Sequence, residues 1–321
     1  MADFSRFGIY AAQIGDLLFQ DIKSTSFRSA SRKSVPIPGG AIHPSAVINC
    51  ASDPVIGFTT CNLDAAFGSS PSVSVWEGYK VDTVGVPTAA TLIQFQKRNF
   101  GGSFIPTGTA QHAVGTSTRG ILIPRSLSVA IDDEQGAQAA FEYMPLSTTG
   151  ILEPVTWSTA SALTSSALFG GLWYLGPVRR GLLGSSLSDM AGLINLEINF
   201  GIDFRSPRAD GCIYAVNGST YSVVPEIRAT FLDPAQRTDT LGSPWGYKYV
   251  SAPHGWNFHL RKGAEGGGRV ADATTQHVVF TTTTGDNTTD EVTVSQLDDV
   301  TTQIILRPTA GITVSTGVAI T

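Results

Sequence analysis

Two groups of side chains have the chemistry to bind a cation. The consecutive carboxylates of Asp132–Glu134 suit a hard cation in charge, but they lack the alternating oxygen spacing of a calcium loop. His254, His259 and His277 are of the type that binds zinc, yet five histidines scattered over 321 residues produce such spacings by chance. We therefore predict no metal site and no cofactor, and we interpret the acidic cluster as a solvated turn.

Motifs of the common enzyme classes are absent from the sequence. There is no GxSxG, no HExxH, no Walker sequence and no GxGxxG after a strand. The segment Lys262–Arg269 is rich in glycine, but its lysine precedes the glycines, the reverse of a phosphate-binding loop. We expect a flexible loop there and predict that the protein is not an enzyme.

The composition is that of an all-β protein without a basic surface. Charged residues make up 15% of the chain, against about a quarter in an average domain, and there are 34 glycines and 17 prolines. The net charge of −5 argues against specific binding to nucleic acid. No secretory signal and no apolar run long enough to cross a bilayer are evident, so we expect a soluble protein made in a cytoplasm. Cys50, Cys61 and Cys212 are expected to be buried thiols, because their odd number and spacing suit neither disulfides nor zinc.

The clearest secondary-structure signal is the segment Ile194–Phe204, in which apolar residues occupy every even position. Since side chains alternate faces along a strand, this pattern predicts one long amphipathic strand with a buried face. A hairpin is predicted from strands at 121–131 and 140–144, joined by the polar turn 132–136. The segment Val86–Phe100 is ambiguous in period, and we favour a short helix for it.

These patterns predict an all-β fold, a sandwich or barrel with long amphipathic strands, extended hairpins and at most a few short helices. We divide the chain into an N-terminal arm or hairpin (1–36), a main β-domain (37–242), and a C-terminal β-module or continuation of the same sheet system (243–321).

Several segments of this chain resemble tailed-bacteriophage tail tube proteins, which are virion structural proteins. The resemblance is carried by Gly39–Ile48, by Leu122–Val129 with its return Phe141–Ser147, and by Leu175-Gly-Pro177 followed by Leu196–Asp203. The resemblance extends over about Gly39–Asp233. It lies in the general sequence pattern of these segments and includes no diagnostic motif. This chain is longer than a minimal tube protein, and we expect the additional part to be a β-module after about Ser243.

The resemblance implies a subunit whose long strands join those of its neighbours into a closed homo-oligomeric ring, commonly hexameric. Rings would stack by self-assembly into a tube in the virion, with other virion proteins as partners and DNA as passing cargo during ejection. A closed ring also pairs strand edges that would otherwise aggregate. The protein would be made in the host cytoplasm, with no membrane partner. The candidate lumen-facing acids are Asp132, Asp133, Glu134, Glu197 and Asp203. The candidate inter-subunit arm comprises Phe4, Phe7, Ile9 and Tyr10.

Two other classes of protein share this composition. A jelly-roll capsid or decoration protein would form closed shells instead of tubes. A β-rich carbohydrate-binding module would expose Trp76, Trp157 or Trp173 on a sugar-binding face, and a monomer would bind glycans.

Overall fold

The computed structural model describes residues 6–15, 17–37, 39, 43, 45–63, 90–163, 171–182, 188–208, 211–232, 254–264, 267–282, 285–293, 301–309 and 312–320. Within these ranges every element with defined bounds is a β-strand, and all strand pairs are antiparallel. The predicted all-β class is confirmed.

The largest sheet among the described residues, sheet I, has eight strands. Their order across the sheet is β20 (Gly285–Thr293), β21 (Thr301–Pro308), β17 (Glu226–Phe231), β14 (Leu193–Asn199), β9 (Gly120–Ala130), β10 (Gln138–Pro145), β6 (Val55–Thr60) and β3 (Ile22–Arg28).

Two five-stranded sheets accompany sheet I. Sheet II has the order β11 (Thr156–Ser161), β8 (His112–Ser117), β7 (Ala90–Arg98), β1 (Arg6–Ile14) and β2 (Leu17–Phe19). Sheet III has the order β13 (Ser188–Met190), β12 (Trp173–Leu182), β18 (His254–Lys262), β19 (His277–Thr282) and β22 (Thr313–Val318). Two separate ribbons are formed by β4 (Arg32–Ser34) with β5 (Ile48–Ala51), and by β15 (Ile202–Arg205) with β16 (Ser219–Val223).

Sheet I buries one face along its length, and its other face is exposed at residues such as Glu197 and Arg228 but buried at Ile123 and Ile305. Its strands alternate in burial, as in Glu226–Phe231, where Ile227, Ala229 and Phe231 are fully buried. The buried residues of sheets I, II and III form one continuous core. This arrangement is a β-sandwich.

The core joins the sheets through aromatic contacts. Phe19 of sheet II lies 5.2 Å from Phe58 and 5.1 Å from Phe141 of sheet I, measured between ring centroids. Rings at this spacing add to the free energy gained from burial.

The predicted hairpin is present as β9 and β10. Its turn ends at Gly136, whose φ of 68° is a left-handed conformation suited to glycine. β10 extends beyond its predicted bounds at both ends, whereas β9 begins and ends one residue earlier than predicted.

The predicted helix at Val86–Phe100 is wrong, because residues 90–98 form β7. This strand pairs with β1 on one side and β8 on the other, and Ile93 and Gln94 are fully buried there. The hydrophobic period of this segment fits a helix or a strand, and pairing along both edges of β7 stabilises the strand.

The single long strand predicted at Ile194–Phe204 is also wrong in its continuity. β14 ends at Asn199, Gly201 adopts a φ of 59°, and β15 then pairs with β16 outside sheet I. The buried apolar face is confirmed for Leu196, Ile198, Phe200 and Ile202, which are at most 5% exposed.

The predicted domain boundary at residue 242 falls among residues that the structure does not describe. Beyond it, β20 and β21 belong to sheet I, whereas β18, β19 and β22 belong to sheet III.

Candidate assembly surfaces

The ribbon formed by β4 and β5, which we call the 32–51 ribbon, pairs with no further strand among the described residues. Its base is fixed where the Ser52 hydroxyl donates to the Ser29 carbonyl at 2.7 Å. Four aliphatic side chains in and beside it are 48–61% exposed: Val35, Ile37, Val47 and Ile48. Because an isolated two-stranded ribbon is marginally stable in water, this surface gains from a covering partner.

The second ribbon, formed by β15 and β16, is also exposed. The Arg205 guanidinium lies 3.7 Å from the centroid of the Tyr221 ring and 3.0 Å from the Asp203 carboxylate. Tyr221 and Val223 are 68% and 51% exposed. Asp203, one of the predicted lumen-facing acids, is therefore already paired with a cation of its own strand.

The partly exposed face of sheet I carries a carboxylate held between two arginines. The oxygens of Glu142 lie 2.6 Å from Arg28 and 2.6 Å from Arg125. Arg125 also donates to the Ile202 carbonyl at 2.7 Å, which ties the start of the second ribbon to sheet I. The Glu142 carboxylate is thus compensated within one chain, and the group of three side chains keeps one positive charge in excess.

A second carboxylate of this face, Glu226, is compensated in the same way. It lies 2.8 Å from Arg228 and 3.0 Å from Arg307. Burial raises the pKa of Glu226, but hydrogen bonds and positive charge from both arginines outweigh this, so the pKa lies below its usual value. Glu197, another predicted lumen-facing acid, is exposed directly opposite Arg228 in the strand register.

The acidic turn of the β9–β10 hairpin divides into one structural carboxylate and two free ones. Asp133 accepts hydrogen bonds from the backbone N–H of Gln135 at 2.8 Å and from the Gln138 amide at 3.4 Å. Asp132 and Glu134 are exposed and form no ion pair among the described residues. These two side chains can therefore act on an external charge.

The structure does not bring the five predicted acids into one cluster. The acidic turn lies at one end of β14, because the Ile131 N–H donates to the Ile194 carbonyl. Glu197 lies along β14, and Asp203 follows the break at its other end.

The predicted N-terminal arm residues lie mostly on β1, which is an inner strand of sheet II. Phe7 and Ile9 are 38% and 37% exposed and Tyr10 is half-buried, whereas Phe4 is outside the described residues. Their role between subunits remains a prediction.

A pocket of about 350 Å³ opens beside Trp157, and we call it the Trp157 pocket. Its walls include Phe27, Pro54 and Pro154, with Glu153 and Tyr214 adding polar groups. Trp157 is 50% exposed, whereas Trp173 is only 5% exposed and Trp76 is outside the described residues. Trp157 is therefore the predicted tryptophan that is available to a ligand or a partner.

Two of the histidines form hydrogen bonds within the fold, and the three cysteines differ in their exposure. The Nδ1 atom of His259 lies 2.9 Å from the Pro177 carbonyl, and that of His277 lies 2.9 Å from the Thr274 carbonyl. No metal-binding group of three side chains occurs among the described residues. Cys61 is buried, and burial raises its pKa to about 11. The prediction that all three thiols are buried is wrong, because Cys50 is exposed and Cys212 is partly exposed.

Sequence reasoning missed the 32–51 ribbon as a candidate surface. The signal was present in Val35–Ile37 and Val47–Ile48, two aliphatic pairs that flank a segment rich in proline and glycine. No family model matches the chain, and no curated protein matches it. The part of the chain that the structure describes contains no helix able to span a membrane.

Proposed function

We propose that this chain is a virion structural protein that assembles with copies of itself into stacked rings, as the subunit of a tail tube that conducts phage DNA. The observation that carries this proposal is the 32–51 ribbon, whose exposed aliphatic side chains lack cover within the described chain.

Burial of the ribbon against a neighbour supplies a driving force for assembly. Fully burying an exposed aliphatic side chain contributes about 1.5–3 kcal/mol. Val35, Ile37, Val47 and Ile48 are about half exposed, so covering each contributes about half of that, and together they offset part of the cost of association.

Open strand edges favour the same function. β3 and β11 are edge strands of sheets I and II, and β11 is exposed along nearly its whole length. An unprotected edge offers a row of backbone hydrogen-bonding groups, and pairing between neighbours in a ring satisfies them.

The charge distribution suits a passage for DNA at the acidic turn. Glu142 and Glu226 are neutralised by arginines of the same chain, whereas Asp132 and Glu134 form no ion pair with any residue that the structure describes. Free carboxylates on a lumen wall repel phosphate and let DNA move without binding.

The test is the assembly state of the purified full-length chain. We expect rings and tubes by negative-stain microscopy and a concentration-dependent increase in mass by sedimentation velocity. The double variant I37D/V47D should raise the concentration needed for ring formation at least tenfold, because charges would replace two apolar contacts. The matched control I131D, at a residue 48% exposed on the acidic hairpin, should assemble normally.

A wild-type chain that stays monomeric at high concentration and high ionic strength would refute the proposal. Closed shells would assign the chain to the capsid or decoration class. A monomer that binds glycans would assign it to the carbohydrate-binding class.

A further inference from the structure

We infer that Phe100 of one copy inserts into the Trp157 pocket of the next copy, in a head-to-tail contact. The inference rests on the proposed self-assembly and names one of the contacts that would join successive rings.

Phe100 is a fully exposed aromatic side chain on a stiff turn, residues 99–103, which we call the Phe100 turn. The Gly102 N–H donates to the Asn99 carbonyl at 3.0 Å, and the Ser103 N–H donates to the Asn99 side chain at 3.0 Å. Next to the turn, the Arg98 guanidinium lies 4.4 Å from the centroid of the Phe104 ring. An aromatic residue presented on a preorganised turn loses little entropy on binding, which is typical of an interface anchor.

The Trp157 indole is held in place by packing against its neighbours. The Trp157 indole lies over Gly115, where a Cβ atom would come within 3.0–3.2 Å of the ring. Phe27 meets the indole edge-on at 5.3 Å, and Phe95 stacks at 6.2 Å. A phenylalanine ring entering this pocket would find aromatic neighbours of the kind that favour edge-to-face contacts.

The turn and the pocket lie at different places on sheet II: the turn follows the end of β7, and Trp157 lies near the level of the middle of that strand. Trp157 is opposite Gly115, near the level of Gln94, and the Glu153–Val155 segment precedes β11 on the side away from the Phe100 turn. From Gln94, β7 continues for four residues, or about 13 Å of extended strand, before the Phe100 turn begins. A contact between two different surfaces of a subunit is heterologous, and where it does not close into a ring it repeats along an open filament.

The basic turn and the Glu153 carboxylate at the pocket are opposite in charge, and Arg28, which also lines the pocket, is paired with Glu142 at 2.6 Å. Arg6 and Arg98 are exposed and opposite each other in the register, and Lys97 adjoins them, so the Phe100 turn is basic. Glu153 at the pocket is exposed and forms no ion pair among the described residues. Opposite charges steer two such surfaces together and disfavour the reversed orientation.

The test mixes rings of two variants. F100A keeps the pocket, and W157A keeps the turn, so each should form single rings but no tubes. Mixing the two kinds of preformed ring should give stacks of two rings and nothing longer, because the turns of W157A fit the pockets of F100A and the remaining ends are inactive. Melting temperatures check folding. If W157A does not fold, E153R replaces it, with at least tenfold weaker stacking expected.

A second test uses disulfide trapping in a C50S/C212S background, which removes the exposed thiol and the partly exposed one. F100C/E153C should give a ladder of oxidised oligomers, and F100C alone should give none beyond dimers. Tubes of wild-type length from both F100A and W157A would overturn this contact and leave the proposed function intact. Absence of rings from the wild-type chain would instead refute the proposed function. Cellohexaose or chitohexaose binding by the wild type, lost in W157A, would overturn the contact and assign the pocket to a saccharide.

Discussion

His259 is a buried histidine whose protonation is coupled to folding. Burial lowers its pKa, the Pro177 carbonyl opposes this, and positive charge from Arg179, His277 and Arg261 lowers it further. The unfolded chain, with a pKa near 6.5, therefore takes up a proton that the folded chain resists. The free energy of unfolding is unaffected by this group above about pH 7, and it falls as the pH drops through 6.5 toward the folded pKa.

We predict that His259→Gln makes the loss of stability between pH 7 and pH 5 shallower, by up to about 1.4 kcal/mol per pH unit. Urea denaturation at a series of pH values measures this slope. At pH 8 the imidazole is neutral in both states, so the difference there gives the cost of lost packing alone. Parallel profiles for the two proteins would show that His259 does not carry the pH dependence.

At the scale of elements, Gly201 separates β14 from β15 and lets the chain leave sheet I. Its φ is 59°, its carbonyl accepts the Val224 N–H at 3.0 Å, and a Cβ atom there would overlap the Val224 carbonyl. The following strand then forms the exposed ribbon with β16.

Gly201→Ala should lower the free energy of unfolding by about 2–4 kcal/mol, because it combines a strained backbone with a steric overlap. Gly211→Ala is the matched control: its φ is 76°, but a Cβ atom there meets nothing within 4 Å, so only about 1 kcal/mol should be lost. Chemical denaturation measures both changes. Equal losses in the two variants would mean that the overlap with Val224 relaxes without cost.

How far the sequence predicts this fold depends on whether each pattern is local. The alternation in Ile194–Phe204 identifies the buried face, since Leu196 and Ile198 obey a period of two. The break at Gly201 is hidden because glycine occupies a polar position of that pattern. β7 was assigned wrongly because Leu92, Ile93 and Phe95 fit either period, and only pairing with β1 and β8 decides between them.

The candidate surfaces are harder to predict for a physical reason. Val35 and Ile48 look like core residues in sequence, and their exposure depends on what other segments fail to cover. Phe100 is likewise an ordinary aromatic residue until the Phe100 turn presents it to solvent. Conversely, the free charge of Asp132 and Glu134 was predictable, since a polar turn with a terminal glycine is exposed by its local geometry.

For the whole molecule, the acidic turn provides a test of which surface faces DNA. Assembled D132K/E134K should form normal rings but retain double-stranded DNA, because lysines attract the phosphates that carboxylates repel. Anisotropy of a labelled duplex at low and high salt measures this, and we expect at least tenfold tighter binding at low salt.

The isosteric variant D132N/E134Q separates loss of repulsion from gain of attraction, and it should bind the duplex less than the lysine variant does. If D132K/E134K assemblies bind the duplex no better than wild type, the turn does not face the path of the DNA.

The order of strands in sheet I also means that some neighbouring strands are synthesised at widely separated times. β17 ends at Phe231, and its outer partner β21 begins at Thr301, 70 residues later. At about 5–20 residues per second, a ribosome needs about 4–14 s to make that stretch. During this interval the outer edge of β17 lacks its partner and can pair with another nascent chain. A lower growth temperature and a larger supply of chaperones should therefore raise the yield of folded protein. These conditions should affect the yield more than the stability of the finished sandwich does.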